Sequence, residues 1–161
     1  MILDVIEDTK LMVLQPESNQ LKLEFKNMMS AGGEEIVTHS DGVFVVADKN
    51  RITQVISNML DNALKFTSEG VVSVDVAKRK KQEQDYQEEA IVTVEDTGSG
   101  INPEIFPRLF TKFSSKSFSG TGLGLYISKN IIEAHGGKIW AQNNNGQGKS
   151  GATFSFSLPL N

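Results

Sequence analysis

The sequence predicts a two-layer α/β sandwich of the α+β kind, a mixed and mostly antiparallel sheet with about three helices on one face. Three observations predict it. Segments of alternating apolar residues interleave with segments whose apolar residues recur at helical spacing. Several neighbouring strand segments are joined by short turns and so pair as hairpins. No internal repeat and no flexible linker interrupts the chain, so the elements share one core.

In chain order, residues 1–14 hold Ile2, Leu3, Val5 and Ile6 among acids, one or two turns of helix closed by Pro16. Leu21, Leu23 and Phe25 alternate with Lys22, Glu24 and Lys26, a strand with one wet face. Gly32-Gly33 marks a loop over 28–35, a further strand is expected over 35–39, and Asp41-Gly42 turns into a buried strand over 43–47. Ile52, Val55, Ile56, Met59, Leu60, Ala63 and Leu64 then recur at steps of three and four, a helix over 51–67 with Asp48 as its N-cap.

Gly70 stops that helix and a strand alternates over 71–77. The charged run over 78–89, first basic and then acidic, is a solvated hairpin loop rather than a nucleic-acid patch, since it is near neutral and holds only Tyr86 as an aromatic. A strand over 90–95 ends in Asp96-Thr97-Gly98-Ser99-Gly100-Ile101. Pro103 opens a short helix through residue 110, and a polar, serine-rich loop fills 112–120. A second long helix covers 122–135 and stops at Gly136-Gly137. Strands over 138–142 and 152–158 flank a turn over 143–151.

The whole chain narrows the function classes. Its 161 residues, 39% hydrophobic and 22% charged, suit a single soluble domain. A net charge of −4 gives no bulk attraction to nucleic acid or to an anionic membrane. With no cysteine there are no disulfides, thiolate zinc sites or cysteine nucleophiles, which fits a reducing, cytoplasmic compartment. His39 and His135 form no metal-ligand pattern, and no apolar run approaches the roughly 18 residues of a membrane span. No signal peptide follows Met1.

Chemistry concentrates on the first long helix and the glycine turns. Gln54, Asn58, Asn62 and Lys65 stack on consecutive turns along the edge of the buried face. An amide oxygen can ligate a hard cation such as Mg²⁺, and an ammonium can meet phosphate. The plain alternative is the helix's wet side. Asp96 stands where a strand becomes a glycine turn, so its carboxylate can accept a hydrogen bond from an exocyclic amine such as adenine's. Gly122 to Leu125 open a helix whose N-terminal N–H groups suit phosphate. The P-loop motif fails: Asn143 stands where a P-loop before Gly148-Lys149-Ser150 needs glycine.

Four stretches, in order, resemble sensor histidine kinases. Asn58-Met59-Leu60-Asp61-Asn62-Ala63-Leu64-Lys65-Phe66-Thr67 resembles their asparagine box. Asp96-Thr97-Gly98-Ser99-Gly100-Ile101 resembles their first glycine box, and residues 106–113 their phenylalanine box. Gly120-Thr121-Gly122-Leu123-Gly124-Leu125 matches their second glycine box. The resemblance covers about residues 20 to 160. It implies the Bergerat ATP-binding fold that these kinases share with DNA gyrase, with ATP and Mg²⁺ as cofactors.

Residue by residue, the resemblance makes Asn62 the principal Mg²⁺ ligand, with Asn58 assisting. Lys65 would contact phosphate and Asp96 would hold the adenine amine. Gly98 and Gly100 would shape the adenine pocket. Gly120, Thr121, Gly122, Leu123, Gly124 and Leu125 would form the lid hinge and wrap the phosphates. Lys112 or Lys116 would reach the γ-phosphate. Ile101, Phe110 and Phe113 would be apolar support near base and lid, with plain core packing as the alternative for the two phenylalanines. The superfamily's ATPases place a glutamate, the base for water, one turn before the metal asparagine. Here that residue is Asn58, which takes no proton at neutral pH, and this favours kinase over ATPase.

The family's phospho-acceptor histidine belongs to a helical hairpin, and neither His39 nor His135 has its context. Residues 1–14 resemble the end of that hairpin, leaving 15–161 as the catalytic and ATP-binding domain. The expected partners are the acceptor hairpin of the same kinase and, indirectly, a response regulator, with neither nucleic acid nor direct membrane contact. The fragment is expected to be monomeric. The alternatives are a serine kinase of the same superfamily and a non-catalytic, nucleotide-gated interaction module.

Overall fold

The structure, a computed structural model, describes residues 21–26, 43, 45–80, 88–114, 122–144 and 150–160. Strand β1 (Leu21–Lys26), helix α1 (Lys49–Phe66) and strand β2 (Gly70–Lys80) come first. Strand β3 (Glu88–Asp96), a 3-10 turn (Phe106–Arg108), helix α2 (Gly124–Ala134) and strands β4 (Lys138–Asn143) and β5 (Ala152–Pro159) follow. The five strands lie in the order β1-β2-β3-β5-β4. β1 runs parallel to β2, across the α1 crossover that parallel pairing requires, and the other pairs are antiparallel. The expected mixed, mostly antiparallel sheet is therefore present. Among the described residues two α-helices and one 3-10 turn stand in for the three expected helices.

The period of two decides which side chains meet the helices. Val74, Val94, Phe154 and Ala141 align in one row across the sheet, and Val76, Val92, Phe156 and Ile139 in the next. These rows join Ile52, Val55, Ile56, Met59, Leu60 and Ala63 of α1 and Ile131 and Ile132 of α2 in one core. Burying an aliphatic side chain of this kind contributes about 1.5–3 kcal/mol. The same alternation places Asp96, opposite Val72, on the helix side of β3 at the core's edge. The other face carries Ser73, Thr93, Ser155 and Ser157, with Thr93 Oγ1 and Ser155 Oγ 3.1 Å apart.

Asp48 caps α1 as expected, its Oδ1 accepting from the Arg51 N–H at 3.1 Å. The expected strand over 43–47 is not there. Residues 43 and 45–47 carry no regular structure, and Val46 is 81% exposed beside buried Val45. The N–H that follows them, on Asp48, is donated to His135 Nε2 at 3.1 Å and not to a ladder. His135 Nδ1 faces the Ile131 carbonyl at 2.7 Å, so the neutral ring donates there and accepts from Asp48. His135 thus joins the end of α2 to the start of α1.

The expected helix over 103–110 is a set of turns around the 3-10 segment. The Asn102 carbonyl accepts from the N–H groups of Ile105 and Phe106, its Oδ1 accepts from Glu104, and Pro107 offers no N–H to continue a helix. The two ends of the charged run are strand, and residues 81–87 lie outside the described residues: β2 extends to Lys80, β3 starts at Glu88, and Arg79 pairs with Glu89 at 3.1 Å directly across the ladder. Helix α2 starts at Gly124, because Gly122 has φ +65° and accepts a hydrogen bond from Phe113. Residues 1–14 and the expected strand over 35–39 lie outside the described residues, as does His39.

Candidate functional site

The site is built around α1. At its C-terminal end the first glycine turn folds onto the helix. Ser99 N–H donates to the Phe66 carbonyl at 3.2 Å, and a Cβ on Gly98 would overlap that carbonyl and the Thr67 hydroxyl. Asp96 is 3% exposed. Its Oδ1 accepts from Gly98 N–H at 2.8 Å and from Ala152 N–H at 3.3 Å.

Burial is the main influence on Asp96 and pushes its carboxyl above the ordinary value. The N–H groups of Gly98 and Ala152 and the nearby Thr67 hydroxyl pull it down in part, and Glu95 adds a smaller push upward. Thr67 Oγ1 itself is buried without a well-formed hydrogen bond. Asp96 and the Thr67 hydroxyl are thus neighbouring buried polar groups at the rim of the apolar core, and a carboxylate there can accept a hydrogen bond from an amine.

The other end of the site lies where α1 meets the start of α2. Asn58 Nδ2 donates to the Gly124 carbonyl and to Ser128 Oγ, both at 3.2 Å. Those acceptors fix which way the carboxamide points and turn its oxygen away from them. Asn62, one turn later, is half-buried, and its carboxamide has no hydrogen-bond partner among the described residues. Lys65 Nζ lies 5.6 Å over the Phe66 ring, and Lys112 Nζ lies 5.1 Å over the Tyr126 ring.

Phe113 has φ +60°, donates its N–H to Gly122 O at 3.1 Å and is 73% exposed. Helix α2 has no side-chain cap and no acid in its first turn, so its N-terminal N–H groups and positive dipole end stay available to an anion. Leu123 and Leu125 are half-buried beside it.

Asn58 and Gly124 are thus brought into contact, as are Gly98 and the end of the asparagine stretch. Ile101 and Phe110 pack against the core, which for Phe110 is the plainer of its two readings, and exposed Phe113 does not. Lys116, Gly120 and Thr121 lie outside the described residues. Four supporting residues escaped the sequence reading. Ser128 receives Asn58. Thr67 sets its hydroxyl beside Asp96. Asn143 and Asn144 hold the first glycine turn, although their only sequence signal was a polar run ahead of the last strand.

The donor set bears on the metal. No trio of His, Cys, Asp or Glu able to hold an ion occurs among the described residues. Amide oxygens fit a hard cation that takes most of its ligands from phosphate and water, as Mg²⁺ does, while the helix N-terminus suits the phosphate. Asn62 and Asn58 are the residues that would hold it.

Residues 47–161 match the family of histidine kinase-, DNA gyrase B- and HSP90-like ATPases. The chain belongs to this family. It is 40% identical over 126 residues to the sensor protein KdpD of Clostridium acetobutylicum, covering 74% of this chain and 13% of that protein. It is 41% identical over 115 residues to the sensor protein FixL of Bradyrhizobium diazoefficiens, covering 71% and 22%. The chain therefore spans a small part of the curated relatives it matches. The fold is that of the mycobacterial sensor histidine kinase MprB, with TM-score 0.73, 24% identity and 98% and 93% of the two chains covered. Full-length ShkA in complex with AMPPNP is also similar, with TM-score 0.66, 25% identity and coverage of 96% and 28%. No described helix is long and apolar enough to cross a membrane.

Proposed function

We propose that this domain binds Mg-ATP and passes the γ-phosphoryl group to a histidine on a separate helical hairpin of the same kinase, with a response regulator downstream. The observation that carries this reading is Asn58. In the ATPases that the sequence resembles, this position holds a glutamate that activates water. Here a carboxamide occupies it, tied through its nitrogen to Gly124 and Ser128. A carboxamide accepts no proton at neutral pH, so bound ATP is kept for transfer.

The roles divide along α1. Asp96 accepts the adenine amine, and Gly98 and Gly100 let the turn lie close to the base. Asn62 and Asn58 hold Mg²⁺, which neutralises charge on the phosphates. Lys65, Lys112 and the N–H groups at Gly122 to Leu125 hold the phosphate oxygens, with Lys116, Gly120 and Thr121 assigned to the same lid. Phosphoryl transfer asks for such positioning and charge stabilisation rather than a covalent helper. His135 has both ring nitrogens engaged, which suits a structural part and not that of an acceptor.

The test mixes this chain with γ-labelled Mg-ATP, with and without the helical hairpin of its full-length kinase. Acid-labile label on a hairpin histidine, with none on the chain alone, is the expected result. Acid-stable label would mean a serine acceptor, and label on His135 or release of free phosphate ahead of transfer would overturn the reading.

A further inference from the structure

The loop Asp96 to Ile101, which carries the base-recognition carboxylate, is bracketed at both ends by two asparagines at the end of β4. At its far end Asn143 Oδ1 accepts from Ile101 N–H at 2.6 Å, and Asn143 Nδ2 donates to Ile101 O at 2.9 Å. One carboxamide thus satisfies both backbone groups of Ile101, as a neighbouring strand residue would. At the near end Asn144 Nδ2 lies 3.4 Å from both Asp96 O and Glu95 Oε1. Asn144 is fixed in turn: its Oδ1 accepts from Thr153 Oγ1 at 2.7 Å, and its N–H donates to Gly151 O at 3.0 Å.

Two glycines make room for this bracket. A Cβ on Gly100 (φ +75°) would stand 2.9 Å from Asn143 Oδ1 and 3.1 Å from Gly151 O. A Cβ on Gly151 (φ +121°) would overlap Asp96 O. The glycines, the asparagines and the carboxylate therefore form one fitted unit across the ends of β3, β4 and β5.

We propose that Asn143 is a positioning residue that sets the base preference of the nucleotide site, with Asn144 as its support. The inference rests on the nucleotide reading above and deepens it. Asn143 touches no nucleotide in this account. It acts by holding Ile101, and with it the turn that aims Asp96, in one place before ligand arrives. A site whose polar groups are already aimed at an amine discriminates against a base that offers a carbonyl instead. A loop free to shift would adapt to both.

The test titrates ATP and GTP separately, each with Mg²⁺, into the wild type, Asn143→Leu and Asn143→Asp, with thermal unfolding run alongside. Asn143→Leu keeps the branched shape and removes both bonds; the wild-type preference for ATP should fall about tenfold. GTP, whose base presents O6 where adenine presents its 6-amine, should change by no more than about twofold. Asn143→Asp keeps the acceptor for Ile101 N–H but sets a carboxylate against Ile101 O, so it should lose preference to a lesser degree. It also serves as the test if the leucine variant fails to fold. A lowered midpoint with the ATP-to-GTP ratio unchanged would make Asn143 merely structural and overturn the proposal. Wild type that binds ATP together with unchanged ratios removes this inference alone. Wild type that binds neither nucleotide removes the functional reading and this inference with it.

Discussion

The two ends of the site along α1 are built differently. At the end proposed for the base, Asp96 is buried and its Oδ1 is bound by two N–H groups, with Asn143 and Asn144 bracketing its loop. At the end proposed for phosphate, Lys65 and Lys112 rest over aromatic rings and the first turn of α2 carries no cap. Asn58 is the exception there, bound to α2 through its nitrogen. Rigid polar groups at one end can select a base. Groups at the other end that exchange weak ring contacts for charged oxygens can gather around a ligand that changes charge during the reaction. On the proposed function, selectivity belongs to the sheet ends and charge handling to the helix ends.

Substitutions sharpen or break that contrast. The largest effect is expected from Asp96→Asn. Losing a charge-assisted hydrogen bond should weaken ATP binding by about 10- to 100-fold in calorimetric titration. The variant should be no less stable than the wild type, because the buried charge is gone while its Oδ1 can still accept from Gly98 and Ala152. The pH dependence follows the direction of the Asp96 shift. A carboxyl raised by folding contributes stability that is fully present below its unfolded value and is lost as pH rises through its folded value. The wild type should therefore lose ground against Asp96→Asn as pH climbs through that window. ATP binding should behave oppositely and weaken as pH falls through it, when the free carboxyl oxygen becomes a donor.

Gly151→Ala comes next. Positive φ and overlap with Asp96 O should lower stability by at least about 2 kcal/mol in denaturant unfolding and weaken ATP binding as well. Asn58→Ala leaves Gly124 O and Ser128 Oγ without their donor and should lower stability by about 1–2 kcal/mol. The smallest effect is Lys112→Met. Loss of the contact with Tyr126 should change stability by no more than about 1 kcal/mol, whereas phosphoryl transfer should fall markedly. If transfer were unaffected, the phosphate-end assignment of Lys112 would fail.

How far the sequence could be read depended on whether a feature is periodic. Helix α1 was legible because Ile52 to Ala63 repeat at helical steps and Asp48 caps it. Asp96 was legible because a strand ended in a glycine turn. The run over 43–47 was misread because a short apolar stretch fits a buried strand as well as irregular chain. Only the Asp48 N–H bound to His135, 87 residues away, separates the two. The charge reversal over 78–89 was visible, but its meaning as cross-strand pairing waited for the register that sets Arg79 opposite Glu89. Asn143 meets Ile101 across 42 residues and Asn58 meets Ser128 across 70, through single polar side chains that leave no local pattern.

The most direct test of the two-ended account is residue-resolved hydrogen exchange with and without Mg-ATP. The N–H groups of Gly98, Ile101 and Ala152 should be protected already in the free domain and change little when nucleotide binds. Those of Gly124 and Leu125 should exchange readily when free and become protected on binding. The reverse pattern, with the base end ordering on nucleotide and the phosphate end unchanged, would contradict the account.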